Sequence, residues 1–226
     1  MAVVGGGVDQ IMFRDRTDAG RRLAQLLLPF KHRQPLILAL PRGGVPVAVE
    51  VARALEASFD LLMVRKIGAP GHPELALGAV LDGLDPDLFI DHAMVEALHV
   101  PESYVEAEIA RQRHQIERRQ LLYATGRPRS DARNRTVILV DDGVATGATV
   151  RVALRGLRQA GAQYTVVAAP VAPADTAQSL KEECDETVFV ATPADFGAVS
   201  MYYEDFGEVT DAEVIRLLGQ MPAPIS

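Results

Sequence analysis

The stretch Val137–Thr149 reads VILVDDGVATGAT. Four apolar residues run directly into two aspartates, and small residues and threonines follow. A continuous apolar run of this kind fits a strand buried on both faces of a parallel sheet. Two adjacent carboxylates at its end repel each other unless something faces them. Gly143, Ala145, Gly147 and Ala148 carry almost no side chain, so the backbone N–H groups of this loop can close around an anion. A helix beginning near Gly147 would add its positive N-terminal end, and Thr146 and Thr149 add hydroxyl donors. The loop reads as a phosphate cradle with Asp141 and Asp142 at its entrance. It lacks the Gly-x4-Gly-Lys-[Ser/Thr] pattern and is not a P-loop. A bare phosphate would be repelled by the acid pair. A sugar phosphate satisfies both parts, with its phosphate in the cradle and its hydroxyls on the carboxylates.

Outward from this stretch the chain alternates strands and helices. PLILAL (35–40), DLLMVRK (60–66), TVILV (136–140), YTVVAAP (164–170) and ETVFVAT (186–192) read as strands. ELALGAVLDGLDPDLFI reads as two short strands around an Asp/Gly/Pro turn. Helices are predicted over TDAGRRLAQLLLPF, with Thr17 as N-cap, and over VPVAVEVARALEA, 147–160 and 174–183. A long amphipathic helix carries Val105, Ile109, Ile116 and Tyr123 on one face and ends at Gly126. A short helix closes the chain after the aromatic, acidic segment MYYEDFGEVTD. Strands alternating with helices point to a parallel α/β sheet. No linker, repeat or low-complexity tract divides the chain. One domain over 1–226 is expected, with a core over about 35–185 and a small hood from 1–34 and 186–226.

In such a sheet, ligands sit beyond the carboxyl ends of the strands. A second unusual loop falls at such an end: LPRGGVPVA (40–48). Arg42 offers a guanidinium, Gly43 and Gly44 offer open backbone amides, and a helix starting near Val45 points its N-terminus to the same place.

The 226 residues are 48% hydrophobic and 23% charged, with a formal charge of −7. Bulk charge therefore gives no support for a general binder of nucleic acid or anionic membranes. Arg111, Arg113, Arg118 and Arg119 on the long helix are interleaved with Glu102, Glu106, Glu108 and Glu117, which reads as a solvated, ion-paired face. The lone Cys184 excludes an internal disulfide and has no histidine near it in sequence, so it reads as a small core residue. No apolar run approaches the ~20 residues of a spanning helix. MAVVGGGVDQ has no basic or long apolar region and reads as a loose tail, so the cytoplasm is the expected compartment.

Over all thirteen positions VILVDDGVATGAT resembles the signature of the type I phosphoribosyltransferases: four apolar residues, two acids, then a small-residue loop ending Thr-Gly-x-Thr. The apolar-Asp-Asp opening also occurs in response-regulator receivers, but near the chain start and without the Thr-Gly-x-Thr. LPRGGVPVA resembles the pyrophosphate loop of the same family. VRKIGAP, the long helix with its Glu-Arg-Arg and the later YYEDF extend the resemblance, to an uncharacterised subgroup, over nearly the whole chain. The resemblance implies an α/β fold of that type, a parallel sheet flanked by helices, with a hood from the chain ends.

It also implies roles. Ala145, Thr146, Gly147, Ala148 and Thr149 would hold the 5-phosphate of 5-phosphoribosyl 1-diphosphate (PRPP). Asp141 and Asp142 would hold the ribose hydroxyls directly or through Mg2+. Arg42, Gly43 and Gly44 would take the pyrophosphate. Family members place a basic residue near VRKIGAPGHPELALG (64–78), often acting in a partner subunit, and Lys66 or Arg65 fills that place. GAPGHPE (68–74) could form part of a mobile lid, with His72 and Glu74 as lid candidates. Tyr202, Tyr203 or Phe206 could stack on a flat acceptor ring or pack the hood itself. The implied protein is a homodimeric, Mg2+-dependent transferase of nucleotide metabolism that displaces pyrophosphate from PRPP by a nitrogen nucleophile. Nucleic acid and membranes are not expected partners.

One departure bears on the acceptor. Some purine-specific members carry an acid four residues after the first acid, and here that position is Ala145. Two other readings stay open at this point. A PRPP-sensing regulator on the same fold would favour a strongly basic face, and the sequence shows none beyond the mixed helix. A nucleotide-binding domain of another α/β family would not need the paired loops.

Overall fold

The structure is a computed structural model that describes residues 12–82, 84, 87–123 and 130–221. The expected tail over 1–10 and the expected helix end at Gly126 lie outside the described residues.

The main sheet is built from β1 (Leu36–Ala39), β2 (Ser58–Leu61), β6 (Thr136–Val140), β7 (Tyr164–Val171) and β8 (Glu186–Ala191). Its order is β2-β1-β6-β7-β8, and every neighbouring pair is parallel. The period-2 geometry of a strand sends alternate residues to opposite faces. Ile37, Ala39, Ile138 and Val140 join one core cluster, with the helices α1 (Arg16–Leu27) and α2 (Gly44–Leu55). Leu36, Leu38, Val137 and Leu139 join the other, with α5 (Ala148–Gln159). Both faces are covered at β1 and β6, which is why these two strands read as unbroken apolar runs. β8 belongs to this sheet, so the sheet extends past the expected core boundary at 185.

The expected strand over 60–66 is two strands. β2 ends at Leu61, and β3 (Met63–Ala69) then leaves the sheet to pair antiparallel with β4 (His72–Asp82), which pairs with β5 (Leu88–Ile90). The apolar run Leu61–Val64 is continuous in sequence because Leu62 and Met63 are buried on both sides of the break. Pro70 and Gly71 form the tip of the β3–β4 hairpin, and Gly71 takes φ +74° there.

Two helices follow β5: α3 (His92–Ala97), which has no counterpart in the sequence reading, and the long α4 (Glu102–Tyr123). Val105, Ile116 and Tyr123 of α4 are buried as expected. Glu108 is not on a solvated face: it is buried, and it accepts hydrogen bonds from Arg111 and Gln112 at 2.6 Å each. Helix α6 (Ala174–Leu180) joins β7 to β8, and α7 (Asp211–Leu218) closes the described chain. Asp15 caps α1, accepting from the Asp18 amide at 2.7 Å, so the expected cap Thr17 sits inside the helix. The chain ends are tied together: Phe13 bridges to Tyr203, and its amide and carbonyl bond to Tyr202 and Glu204 at 2.8 Å. No helix among the described residues is long and apolar enough to cross a membrane.

Candidate active site

The sheet order places the site. The chain runs outward from β1 to β2 on one side and from β6 through β7 to β8 on the other. That reversal between neighbouring strands opens a crevice beyond their carboxyl ends. The two loops singled out in the sequence follow β1 and β6, and Ala39 is in register with Val140, so the loops leave the sheet side by side.

They are in direct contact. A Cβ on Gly43 would stand 2.0 Å from Asp142 Oδ2, and one on Gly44 would stand 2.8 Å from the Val140 carbonyl. Both positions need glycine for close approach. Asp142 N donates to Asp141 Oδ1 at 2.9 Å. Asp142 Oδ2 accepts from Arg16 Nε at 2.7 Å, and the Tyr203 hydroxyl donates to the Asp142 carbonyl at 2.5 Å. Burial pushes the Asp141 carboxyl well above the ordinary range, and the charge of Asp142 adds to this. Asp142 is also raised by burial, against the opposing pull of Arg16. Burial, with Asp142 close by, likewise raises the Tyr203 hydroxyl.

The cradle loop is held from behind. Thr176 Oγ1 donates to the Ala145 carbonyl at 2.9 Å, and Arg151 Nη1 donates to the Thr146 carbonyl at 2.6 Å. Arg151 is itself fixed by Glu183 and Ser179 at 2.6 Å each. With the carbonyls so engaged, the amides of Ala145, Thr146, Gly147 and Thr149 have no hydrogen-bond partner among the described residues. Ala148 N reaches Thr146 Oγ1 at 3.4 Å. Gly147 adopts φ +74° at the helix N-cap, and no side chain caps α5. Free amides at an uncapped helix N-terminus make an anion site.

Arg42 has acidic neighbours in this state. Its guanidinium donates to the Glu208 carboxylate and lies 3.9 Å from Asp211 Oδ1. Asp211 also accepts from the Tyr123 hydroxyl, and burial, first, with this contact pushes Tyr123 up to about 12. Lys66 sits within β3 rather than at the end of a parallel strand. It lines a cavity of about 410 Å³ together with Arg65, Tyr104, Gln112 and Thr149, so the hairpin lysine and the last residue of the cradle face one space. His72 opens β4 as an exposed residue, and the Glu74 side chain lies outside the described residues.

Packing, not an open ring face, occupies the hood aromatics. Tyr202 and Tyr203 are buried. Tyr202 stacks on Phe196 at 5.5 Å, and Tyr203 lies between Phe13 at 5.3 Å and Phe206 at 4.9 Å. The Arg16 guanidinium lies 3.9 Å from the Phe206 ring centroid. Cys184 Sγ lies 3.2 Å from the Leu180 carbonyl, and burial pushes the thiol up to about 11, away from nucleophilic use.

Sequence reasoning missed Arg16, Arg151, Thr176 and the Tyr203 hydroxyl. No local pattern flags a contact between positions 16 and 142. Asp141 and Asp142 offer hard carboxylate oxygens, and these suit Mg2+. No group of three or more His, Cys, Asp or Glu among the described residues could hold a metal by itself. A cation here would need oxygens from a ligand.

The Phosphoribosyl transferase domain family matches residues 16–205. Two relatives from Mycobacterium tuberculosis, strains CDC 1551 and H37Rv, are provisionally named phosphoribosyl transferases. Each is 41% identical over 207 residues, which cover 92% of this chain and 46% of the relative. The chain thus spans about half the length of those curated relatives. The crystal structure of TT1426 from Thermus thermophilus is 46% identical, with a TM-score of 0.83, over 92% of this chain and 97% of that one.

Proposed function

The chain belongs to the phosphoribosyl transferase domain family, and from that premise we propose that it transfers the phosphoribosyl group of PRPP to a nitrogen nucleophile, a nucleobase or related small molecule, with Mg2+. One observation carries this reading. A glycine-arginine loop, an acid pair and an anion cradle meet at the reversal of one parallel sheet, with the first two in van der Waals contact.

Each part has a task in this reaction. The free amides of Ala145, Thr146, Gly147 and Thr149, with Ala148 at the helix start, bind the 5-phosphate. Asp141 and Asp142 take the ribose hydroxyls. Arg42 exchanges Glu208 for a pyrophosphate oxygen, and the Gly43 and Gly44 backbone lets the leaving group lie against the acid pair. Lys66 supplies a further cation from the hairpin. Positioning the substrate and stabilising the charge that grows on the leaving pyrophosphate carry the rate. When bound, Mg2+ would be held by Asp141 and Asp142 together with ligand oxygens and would supply charge neutralisation for the leaving pyrophosphate. The β3–β4 hairpin serves as the lid that excludes water, and the paired chain ends serve as the hood. A cytoplasmic homodimer is the assembly this reading calls for.

The test is a screen of nucleobases and small amines with PRPP and Mg2+, following pyrophosphate release. Release that depends on one acceptor class supports the transferase reading. PRPP binding without release with any acceptor would assign the protein to PRPP sensing instead.

A further inference from the structure

Arg16 has no part in the roles assigned above, yet it is firmly held. Its side chain is 12% exposed and that of its partner Asp142 is 15% exposed. Nε donates to Asp142 Oδ2 at 2.7 Å, Nη1 donates to the Gly207 carbonyl at 2.7 Å, and the guanidinium lies 3.9 Å from the centre of the Phe206 ring. A long side chain gives up most of its rotamer freedom to be gripped in this way. A solvated surface charge is not held on three sides.

Asp142 is gripped in turn. Arg16 takes Oδ2, and the Asp141 carboxyl shares a side-chain hydrogen bond with the same carboxylate. The rest of Asp142 is equally confined. Tyr203 holds its carbonyl, its amide is bonded to Asp141, and Gly43 packs against its carboxylate. The carboxylate is therefore fixed in orientation, with Oδ2 committed to Arg16, at the point where the two loops touch. A charge-assisted bond to a planar donor fixes orientation as well as charge.

We propose that Arg16 is a positioning residue of the phosphoribosyl site, holding the Asp142 carboxylate in the orientation that meets a ribose hydroxyl. This rests on the reading of Asp141 and Asp142 as the diol-binding pair. The consequence is selectivity for ribose over 2-deoxyribose that depends on Arg16.

The experiment compares ribose 5-phosphate with 2-deoxyribose 5-phosphate by calorimetry, with Mg2+ present, in the wild type, Arg16→Gln and Arg16→Lys. In the wild type the hydroxyl should tighten binding by about tenfold, the worth of a hydrogen bond to a charged group. In Arg16→Gln that ratio should fall to about one with the 2-deoxy ligand little changed, and Arg16→Lys should recover part of it. Equal weakening of both ligands, with the ratio intact, would reduce Arg16 to a structural brace and overturn the proposal. Tighter binding of ribose 5-phosphate to Arg16→Gln would also overturn it, making Arg16 a plug in the site. A wild-type ratio of one would fail the diol reading itself, before any variant is made. Should Arg16→Gln not fold, Phe206→Leu removes the plane under the guanidinium. It should lower the same ratio, and an unchanged ratio there counts against the proposal.

Discussion

Gly43 and Asp142 occupy space that only a glycine permits: a methyl group at position 43 would stand 2.0 Å from Asp142 Oδ2. The glycine of the first loop is thus a condition for the acid pair of the second. Gly43 itself has φ −59°, so close approach and not backbone conformation is what demands it.

Gly43→Ala should therefore disturb the site more than the fold. Overpacking of this kind costs about 1–3 kcal/mol in a filled interior. The Asp142 side chain is the movable partner, so the expected melting-temperature loss lies at the low end while PRPP affinity falls sharply. Calorimetry beside a thermal melt checks this, and unchanged PRPP binding would detach the glycine from the site.

Arg42→Ala should weaken PRPP and pyrophosphate but leave ribose 5-phosphate nearly unchanged, because the proposed reading puts opposite ends of the substrate in the two cradles. Loss of a hydrogen bond to a charged group costs about 1.5–3 kcal/mol. Glu208→Gln should act the other way and free Arg42 for pyrophosphate. Glu208 is 74% exposed, and an exposed pair is worth about 0–1 kcal/mol, so the gain is a few-fold at most. Competition binding with pyrophosphate reads both variants.

Asp141→Asn and Asp142→Asn should both abolish turnover but differ in stability. The Asp141 carboxyl is raised in the folded protein by burial first and by Asp142 second. A raised folded value means that the folded state holds the proton more tightly, so stability falls as pH rises above the ordinary value of 3.8. Asp141→Asn should remove that loss and melt higher than the wild type at neutral pH. Asp142 is raised by burial too but is opposed by Arg16, so Asp142→Asn gains less, leaves the Arg16 charge without its partner and should melt lower than Asp141→Asn. Melts from acid to neutral pH decide it, and equal behaviour of the two variants would contradict this division of roles.

Arg151→Ala should loosen the cradle. The Thr146 carbonyl loses its donor and Glu183 loses its cation. Ribose 5-phosphate affinity should drop by about tenfold, as for one lost charge-assisted bond, while pyrophosphate affinity stays. A matching loss for pyrophosphate would mean that the whole crevice, not the cradle, had moved.

The strands β1, β6 and β7 were legible because burial on both faces leaves an uninterrupted apolar run in the sequence itself. The candidate cradle and acid pair stand out in sequence for a related reason: small residues, hydroxyls and like charges crowd one short loop. The break at Leu62 was not legible, since an apolar run looks the same whether it continues one sheet or passes between two. The N-cap was misread by two positions because Asp15 and Thr17 are both capable caps, and the winner is set by where Phe13 is anchored on Tyr203. Tertiary structure alone decided the company each group keeps. Arg16 lies 126 positions from Asp142, and Arg42 lies 166 from Glu208. Local sequence encodes propensity and periodicity, which act over a few residues. Such pairings arise when the order β2-β1-β6-β7-β8 and the joined chain ends carry distant side chains to one crevice.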